Sequence, residues 1–386
     1  MKSVSLFKAG INCFIFCSFS SIVLADEVKL SKTVTLTAYD STSIGFAMAV
    51  SIGNALKDKY GADVRVIPAG TDVARLQPVK SGRAVAAVTG NGIFFAQEGV
   101  FEFAVKEWGP QPLRMMISSG SCGTISLGVA KDTGVKDMKD LRGKRIGNVI
   151  GAPALNQSSL ALIAFADLSP KDVTLVWFSS YGAMMKGLLN NEVDAALASN
   201  FGGPMKELEA SPRGVIFPQT PHADKAGWAR LQRVAPFYMP HVSTCGVGAT
   251  KEKPADFSYY PYPIITTYAS SSFDQIYSLT KAIIQTYPAY KDSAPGAEGF
   301  AVERQSLSWV VPLHEGAIKA IREAGVWKPE HEAHQTVMVK RQRVLGEAWT
   351  SYIASASTMG EEKFRIGWSA ARAEALKKAG LEVYFE

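Results

Sequence analysis

The chain is poor in the residues that carry most protein chemistry. It has 386 residues but only 4 cysteines and 5 histidines. Two of the cysteines, Cys13 and Cys17, fall near the N-terminus, which leaves Cys122 and Cys245 for the rest. That is too few for a disulfide scaffold or a cysteine-rich zinc domain. No Gly-x-Ser-x-Gly elbow, phosphate-binding P-loop or Gly-x-Gly-x-x-Gly run occurs. No Lys/Arg block is longer than Lys340-Arg341 or Lys377-Lys378. A nucleic-acid binder concentrates its positive charge, so nucleic acid is not an expected partner. After the first 25 residues no apolar run is long enough to span a membrane.

What is present is ordinary globular composition, with 47% hydrophobic and 20% charged residues and a formal net charge of +6. Such a chain can bury a core, which excludes disorder, and its length fits two domains or more.

Residues 1–25 read as a secretory signal. Lys2 and Lys8 precede a mostly apolar stretch from Ala9 to Leu24, and Val23-Leu24-Ala25 ends in small residues. Asn12 and several serines interrupt the stretch, and Phe16 before Cys17 argues against a lipid anchor. Cleavage after Ala25 is expected, giving an exported, periplasmic protein. It removes two lysines and no acid, leaving 39 Lys+Arg against 35 Asp+Glu, a net charge of +4. Cys122 and Cys245 then either form one disulfide or stay as two buried thiols.

From residue 33 onward, strand-like and helix-like runs alternate. Val34–Ala38, Val64–Ile67 and Ala84–Val88 read as strands. Helical patterns over Ile44–Tyr60 and Thr71–Lys80 separate them. A second unit places strands at Ser126–Ala130, Lys144–Val149, Val173–Phe178 and Ala195–Ala198, with helices at Val135–Leu141, Ala154–Phe165 and Met184–Asn190 between them. The βαβ order predicts mostly parallel sheets covered by helices. Lys80–Asn91 also echoes Leu189–Asn200 at the same step of the second unit. Each is a helix end, a polar turn, a small-residue strand and an Asn, which predicts a pseudo-duplicated pair of α/β lobes.

Ligands of parallel sheets bind beyond the carboxyl ends of the strands. The loops there are small and polar. They supply the candidate ligand-binding residues Asp40, Ser41, Thr42, Thr71, Asn91, Asn156, Tyr181, Asn200 and Phe201. Ser41 and Thr42 are expected to donate to an anion. Asn91 and Asn200 are the paired strand-end amides, and Tyr181 and Phe201 are expected to cover a carbon skeleton. Asp40 either faces the cleft, where it favours an amino group or hydroxyls, or caps the Ile44 helix. The sequence leaves both open, with the cap slightly preferred. Helix-start Ser and Thr can also be simple N-caps.

Ser51-Ile-Gly-Asn-Ala-Leu56, Gly61–Val66 and Ala69-Gly-Thr-Asp-Val73 with Leu76 resemble the TAXI-type solute-binding subunit of TRAP transporters, as do Pro236–Pro240 and Pro312–Ala317. Val135–Ile146 resembles a segment shared by many type II periplasmic binding proteins. The resemblance runs over the mature chain to about residue 330. Tyr39–Gly45 stands where that family has a glycine-rich run, and Lys328–Ser357 reads as an added amphipathic helix. The resemblance implies two Rossmann-like α/β lobes around a ligand cleft. Residues 26–122 and 246–330 would form lobe I, 123–245 lobe II, and 331–386 a C-terminal helical extension packing on the lobes. It implies a protein that captures a small organic acid or amino acid and hands it to a membrane permease, with no cofactor. A sensory binding protein on the same fold is the alternative. An enzyme on that fold would need Cys122, in Gly120-Ser-Cys-Gly123, beside a base, and no enzymatic activity is expected. His331 and His334 lie three apart on a helix, yet no third metal ligand accompanies them, so a solvated helix face is expected.

Overall fold

The computed structural model describes Met1 and residues 28–385. The expected leader and its cleavage point lie, apart from Met1, outside the described residues.

The first sheet is built from β1 (Thr33–Ala38), β2 (Asp63–Pro68), β3 (Ala86–Thr89) and β4 (Leu113–Ser118). Its helices are α1 (Ile44–Tyr60), α2 (Asp72–Lys80) and α3 (Gly92–Glu98). The chain then crosses to a second sheet made of β5 (Ile125–Ala130), β6 (Arg145–Val149), β7 (Thr174–Phe178), β8 (Ala195–Ser199) and β9 (Val215–Ile216). Here α4 (Pro153–Phe165), α5 (Tyr181–Leu189), α6 (Gly203–Ala210) and α7 (Lys225–Val234) form the cover. An antiparallel ribbon, β10 (Met239–Ser243) with β11 (Ala255–Tyr259), leads back to β12 (Ile264–Tyr268), which inserts into the first sheet. Helices α8 (Phe273–Tyr290), α9 (Glu315–Glu323), α10 (Pro329–Ala356) and α11 (Glu361–Lys378) complete the chain.

The two sheets share one plan. Their orders are β2-β1-β3-β12-β4 and β7-β6-β8-β5-β9. In each, the first three strands run parallel and the fourth runs antiparallel to its neighbours. The echoing segments end in β3 and β8, which hold the same place in their sheets. The architecture is therefore two-lobed α/β, a type II binding-protein fold.

Local chemistry explains the elements. The Ser43 hydroxyl caps α1 by accepting from Phe46 N at 3.2 Å. Gly61 ends the helix at φ 69°, a left-handed conformation that costs glycine little. The helix buries Met48, Ile52, Ala55 and Leu56, and Gly53 lets Val64 of β2 approach. Val135–Leu141 is shorter than expected: a 3₁₀ turn over Met138–Leu141, started by an Asp137 cap.

One boundary differs from expectation. Ala249, Ala255 and Phe257 pack into the core of the second sheet with Met184, Leu188 and Val215. The return to the first sheet is thus carried by 259–263 and not by Gly246, because the ribbon must bury its apolar side before leaving. The added helices α10 and α11 lie against α3, β4 and the loop before α9. Gln335 brackets Leu313 N and O, and Gln342 donates to Leu113 O at 2.8 Å. Lys328–Ser357 is the long helix expected.

Cys122 and Cys245 form a disulfide with Cα atoms 5.5 Å apart. This decides between the two states left open by the sequence. It also leaves no free Cys122 thiol for nucleophilic catalysis.

Candidate functional site

Strands β1, β2 and β3 of the first lobe and β6 and β8 of the second end on one cavity. From the first lobe it is lined by Tyr39, Asp40, Thr42, Asp72, Arg75 and Asn91. From the second come Ala154, Leu155, Tyr181, Leu197 and Ser199, and Tyr260 and Tyr262 of the return segment close one side. The volume is about 50 Å³. A water needs roughly 10–15 Å³ of such space, so the cavity fits a small solute and not a nucleotide or an oligosaccharide.

The lobes are latched across it at α4. Ala154, in the first turn of α4, donates its N–H to Asp72 Oδ2 at 3.2 Å. Its carbonyl accepts from Asn91 Nδ2 at 3.2 Å, and the same amide donates to Ser158 Oγ at 2.9 Å. The Asp72 carboxylate thus stands at the positive end of α4, where a negative charge is favoured. Its other oxygen pairs with Arg75, three residues on along α2. Arg75 also donates to Ala69 O at 3.0 Å and lies over the Tyr39 ring at 3.9 Å. Both members of the pair are 3% exposed. A Cβ on Gly90 would fall 2.7 Å from the Tyr39 hydroxyl, so glycine there makes room for the ring.

Four tyrosines surround the space. Tyr39 and Tyr262 have ring centroids 5.4 Å apart, and Tyr260 and Tyr262 are 6.2 Å apart at 85°. Burial pushes all four phenols above their ordinary pKa, and the Asp40 carboxylate adds to this at Tyr181. The hydroxyls therefore stay neutral and can both donate and accept.

Three buried polar atoms of lining residues have no protein partner: Arg75 Nε, Asn91 Oδ1 and Ser199 Oγ. Buried polar groups in folded proteins are nearly always hydrogen-bonded, so these three atoms are places beside the cavity where a solute or a water can add a bond.

Of the nine candidate residues, Asp40, Thr42, Asn91 and Tyr181 line the cavity. The other five do not. Ser41 is an exposed turn residue. Thr71 is the N-cap of α2, accepting from Ala74 N at 3.2 Å, so its hydroxyl is occupied by the helix start. Asn156 closes the turn between β6 and α4, donating to Val149 O at 2.8 Å and accepting from Val149 N at 2.9 Å. Asn200 is fully buried and clamps backbone: it accepts from Thr124 N and donates to Cys245 O and Val247 O. Phe201 turns into the first-lobe core beside Met48, in space that Gly123 and Gly296 leave open. The paired-amide expectation thus fails on one side: Asn91 bridges the lobes, while Asn200 pins the chain crossing.

The Asp40 cap is also corrected. Ser43 caps α1, and Asp40 Oδ1 instead accepts from Thr42 N at 3.0 Å and Thr42 Oγ1 at 2.8 Å. Its Oδ2 faces the first turn of α5 across the cleft, 3.6 Å from where a Cβ on Gly182 would stand.

The sequence places Tyr39 and Ser199 in the rim loops without marking them as ligand-binding, and Asp72, Arg75, Tyr260 and Tyr262 are not among the expected residues. Asp72 and Arg75 did carry a signal, being oppositely charged at i and i+3 in the first turn of a rim helix. The two later tyrosines lie in a Tyr-Tyr-Pro-Tyr-Pro run whose place depends on where the chain returns.

Among the described residues no group of His, Cys, Asp or Glu could hold a metal ion, and no helix is long and apolar enough to cross a membrane. His331 Nδ1 accepts from Lys328 N, and His334 Nε2 meets Trp309 O at 2.6 Å. His314 caps α9 through Nδ1, and burial lowers its pKa.

The chain is similar to the alkanesulfonate-binding protein SsuA from Xanthomonas axonopodis pv. citri bound to MOPS, at 12% identity over 81% of this chain and 84% of that one, with a TM-score of 0.44. It is similar to the periplasmic aliphatic sulphonate binding protein SsuA from Escherichia coli at 14% identity, over 80% and 86% of the two chains, with a TM-score of 0.41. An ancestral arginine-binding protein bound to arginine is 16% identical over 69% and 97%, with a TM-score of 0.40. No curated protein matches the chain by sequence. The model of the NMT1-like family matches residues 40–325, and the chain belongs to that family.

Proposed function

We propose that the protein is a solute-binding protein, exported to the periplasm, that captures a small organic acid or amino acid between its lobes and delivers it to a membrane permease. One observation carries this reading. A cavity of solute size lies between equivalent ends of two matching sheets, and polar atoms on both sides of it lack partners. A ligand that meets those atoms holds the lobes together, and its release frees them to part about the crossing strands. Hydrogen bonds to charged groups contribute about 1.5–3 kcal/mol each, so a few of them reach micromolar affinity. The disulfide suits an oxidising compartment.

The finer reading is a TRAP-type partner, and it rests on the motifs at 51–73, 236–240 and 312–317. Its permease uses an ion gradient.

The mature chain, stripped of bound solute, is expected to unfold at higher temperature with one chemical class from a panel of carboxylates, amino acids and hydroxy acids. A hundredfold excess over Kd adds about 2.7 kcal/mol. The compound should be recovered unchanged. Turnover of that compound contradicts the reading. Uptake into vesicles carrying the permease should follow an ion gradient without ATP; a strict need for ATP contradicts the TRAP assignment alone.

A further inference from the structure

We propose that the solute carries a cationic nitrogen, held by Asp40 and the faces of the surrounding tyrosines, and at most one carboxylate. The inference rests on the solute-binding reading and names its ligand class.

The charges lining the cavity are Asp40, Asp72 and Arg75. Arg75 is already committed: its guanidinium pairs with Asp72 Oδ1 and bonds Ala69 O. Asp72 uses its second oxygen on Ala154 N. That pair is neutral as a unit. Asp40 is the remaining charge. One of its oxygens serves the Thr42 turn, and both stand within 4 Å of where a Cβ on Gly182, in the first turn of α5, would be. The cavity therefore holds one carboxylate that is not paired with a cationic side chain, in a half-buried setting at the first turn of α5, which disfavours a dicarboxylate and favours an ammonium group.

The aromatic lining suits the same group. Tyr260 and Tyr262 hold their rings at 85° to one another, Tyr39 already carries Arg75 on one face, and Tyr181 stands on the opposite lobe. Neutral tyrosine faces attract a cation, and a desolvated one most strongly. The unpartnered acceptor Asn91 Oδ1 suits an N–H donor. The unpartnered donor Arg75 Nε can serve one carboxylate oxygen, and the lining residues include no other cationic side chain for a second carboxylate. Ile44, Leu155 and Leu197 supply apolar surface for a short carbon chain.

The test uses sets of three compounds sharing one carbon skeleton: an amino acid, its 2-oxo acid and its decarboxylated amine, in skeletons of three to six carbons, with succinate and glutarate alongside. Binding to the stripped mature chain is read by calorimetry. An amino acid or an amine should bind at least about tenfold tighter than the matched oxo acid, as one charge-assisted contact provides. Amines binding as well as amino acids would mean that the nitrogen suffices; amino acids alone would mean that Arg75 Nε holds a carboxylate. Either supports the proposal. Asp40→Asn keeps the Oδ1 acceptor of the Thr42 turn and so keeps the fold. It should weaken the amine by about tenfold to a hundredfold. An oxo acid or dicarboxylate binding tightest, or an unchanged affinity in Asp40→Asn, overturns the proposal and leaves the solute-binding reading intact. Silence from every compound overturns both.

Discussion

Glu98→Gln is expected to destabilise the protein by about 3–5 kcal/mol, because it leaves buried guanidinium groups without their counter-charge. Glu98 is fully buried at the end of α3. Its Oε1 accepts from Arg341 Nε at 2.6 Å, and its Oε2 accepts from Arg341 Nη2 at 2.7 Å and Arg372 Nη1 at 2.9 Å. The same two arginines bond the carbonyls of Glu382, Tyr384 and Phe385. One carboxylate thus ties α10, α11 and the C-terminal segment to the helix that follows Asn91 in the cleft. The glutamine side chain keeps the shape and removes the charge. Urea unfolding of the variant measures the loss, and a change under about 1 kcal/mol would contradict the account. Replacing Glu98, Arg341 and Arg372 together by apolar side chains of like volume should recover most of the loss, since burying an ion network is costly in itself.

The disulfide carries the second large effect. It closes a loop with a sequence separation of 123 residues. Such a cross-link restricts the unfolded chain, and its removal from Cys122→Ser/Cys245→Ser should cost about 2–5 kcal/mol. The surroundings make it more than a loop closure. Cys122 O accepts from Thr244 N at 2.9 Å and Ser243 Oγ at 3.0 Å, and Asn200 bonds Cys245 O at 2.9 Å. These bonds sit where the chain passes between the two sheets. The serine variant should therefore unfold at lower denaturant, and reductant should produce the same shift in the wild type and none in the variant. Equal midpoints for the wild type with and without reductant would contradict the assignment.

The sequence shows the lobes more plainly than the site, for physical reasons. Helix α1 begins at Ile44 and ends at Tyr60 as expected, because Ser43 and Gly61 are local start and stop signals. The shared segment at 80–91 and 189–200 reveals the matching places of β3 and β8 because strand composition follows burial. The rim is legible too, since ligands of parallel strands gather at one end. Where each rim side chain points is another matter. Phe201 and Asn200 follow β8 as Gly90 and Asn91 follow β3, yet their environment comes from Met48, Gly296 and Cys245, which are remote in sequence. Thr71 and Asn156 were drawn to local backbone groups, as short polar side chains at helix starts commonly are. Tyr181 opens α5 three residues earlier than the apolar spacing suggests, because Ser180 caps it. Asp72 and Arg75 are legible as a charged pair on one helix, but the Tyr39 ring and Ala154 N–H that fix them in the cleft are remote in sequence.

The central claim is that two lobes close on a solute. Small-angle X-ray scattering of the mature chain tests it most directly, recorded after removal of bound solute and again with the tightest compound at saturation. The latched arrangement, with Ala154 held by Asp72 and Asn91, is the ligand-bound form on this account. The saturated protein should then scatter as the described structure does, and the stripped protein should show a larger radius of gyration. Identical curves with and without saturating ligand would contradict a clamp that closes on its solute.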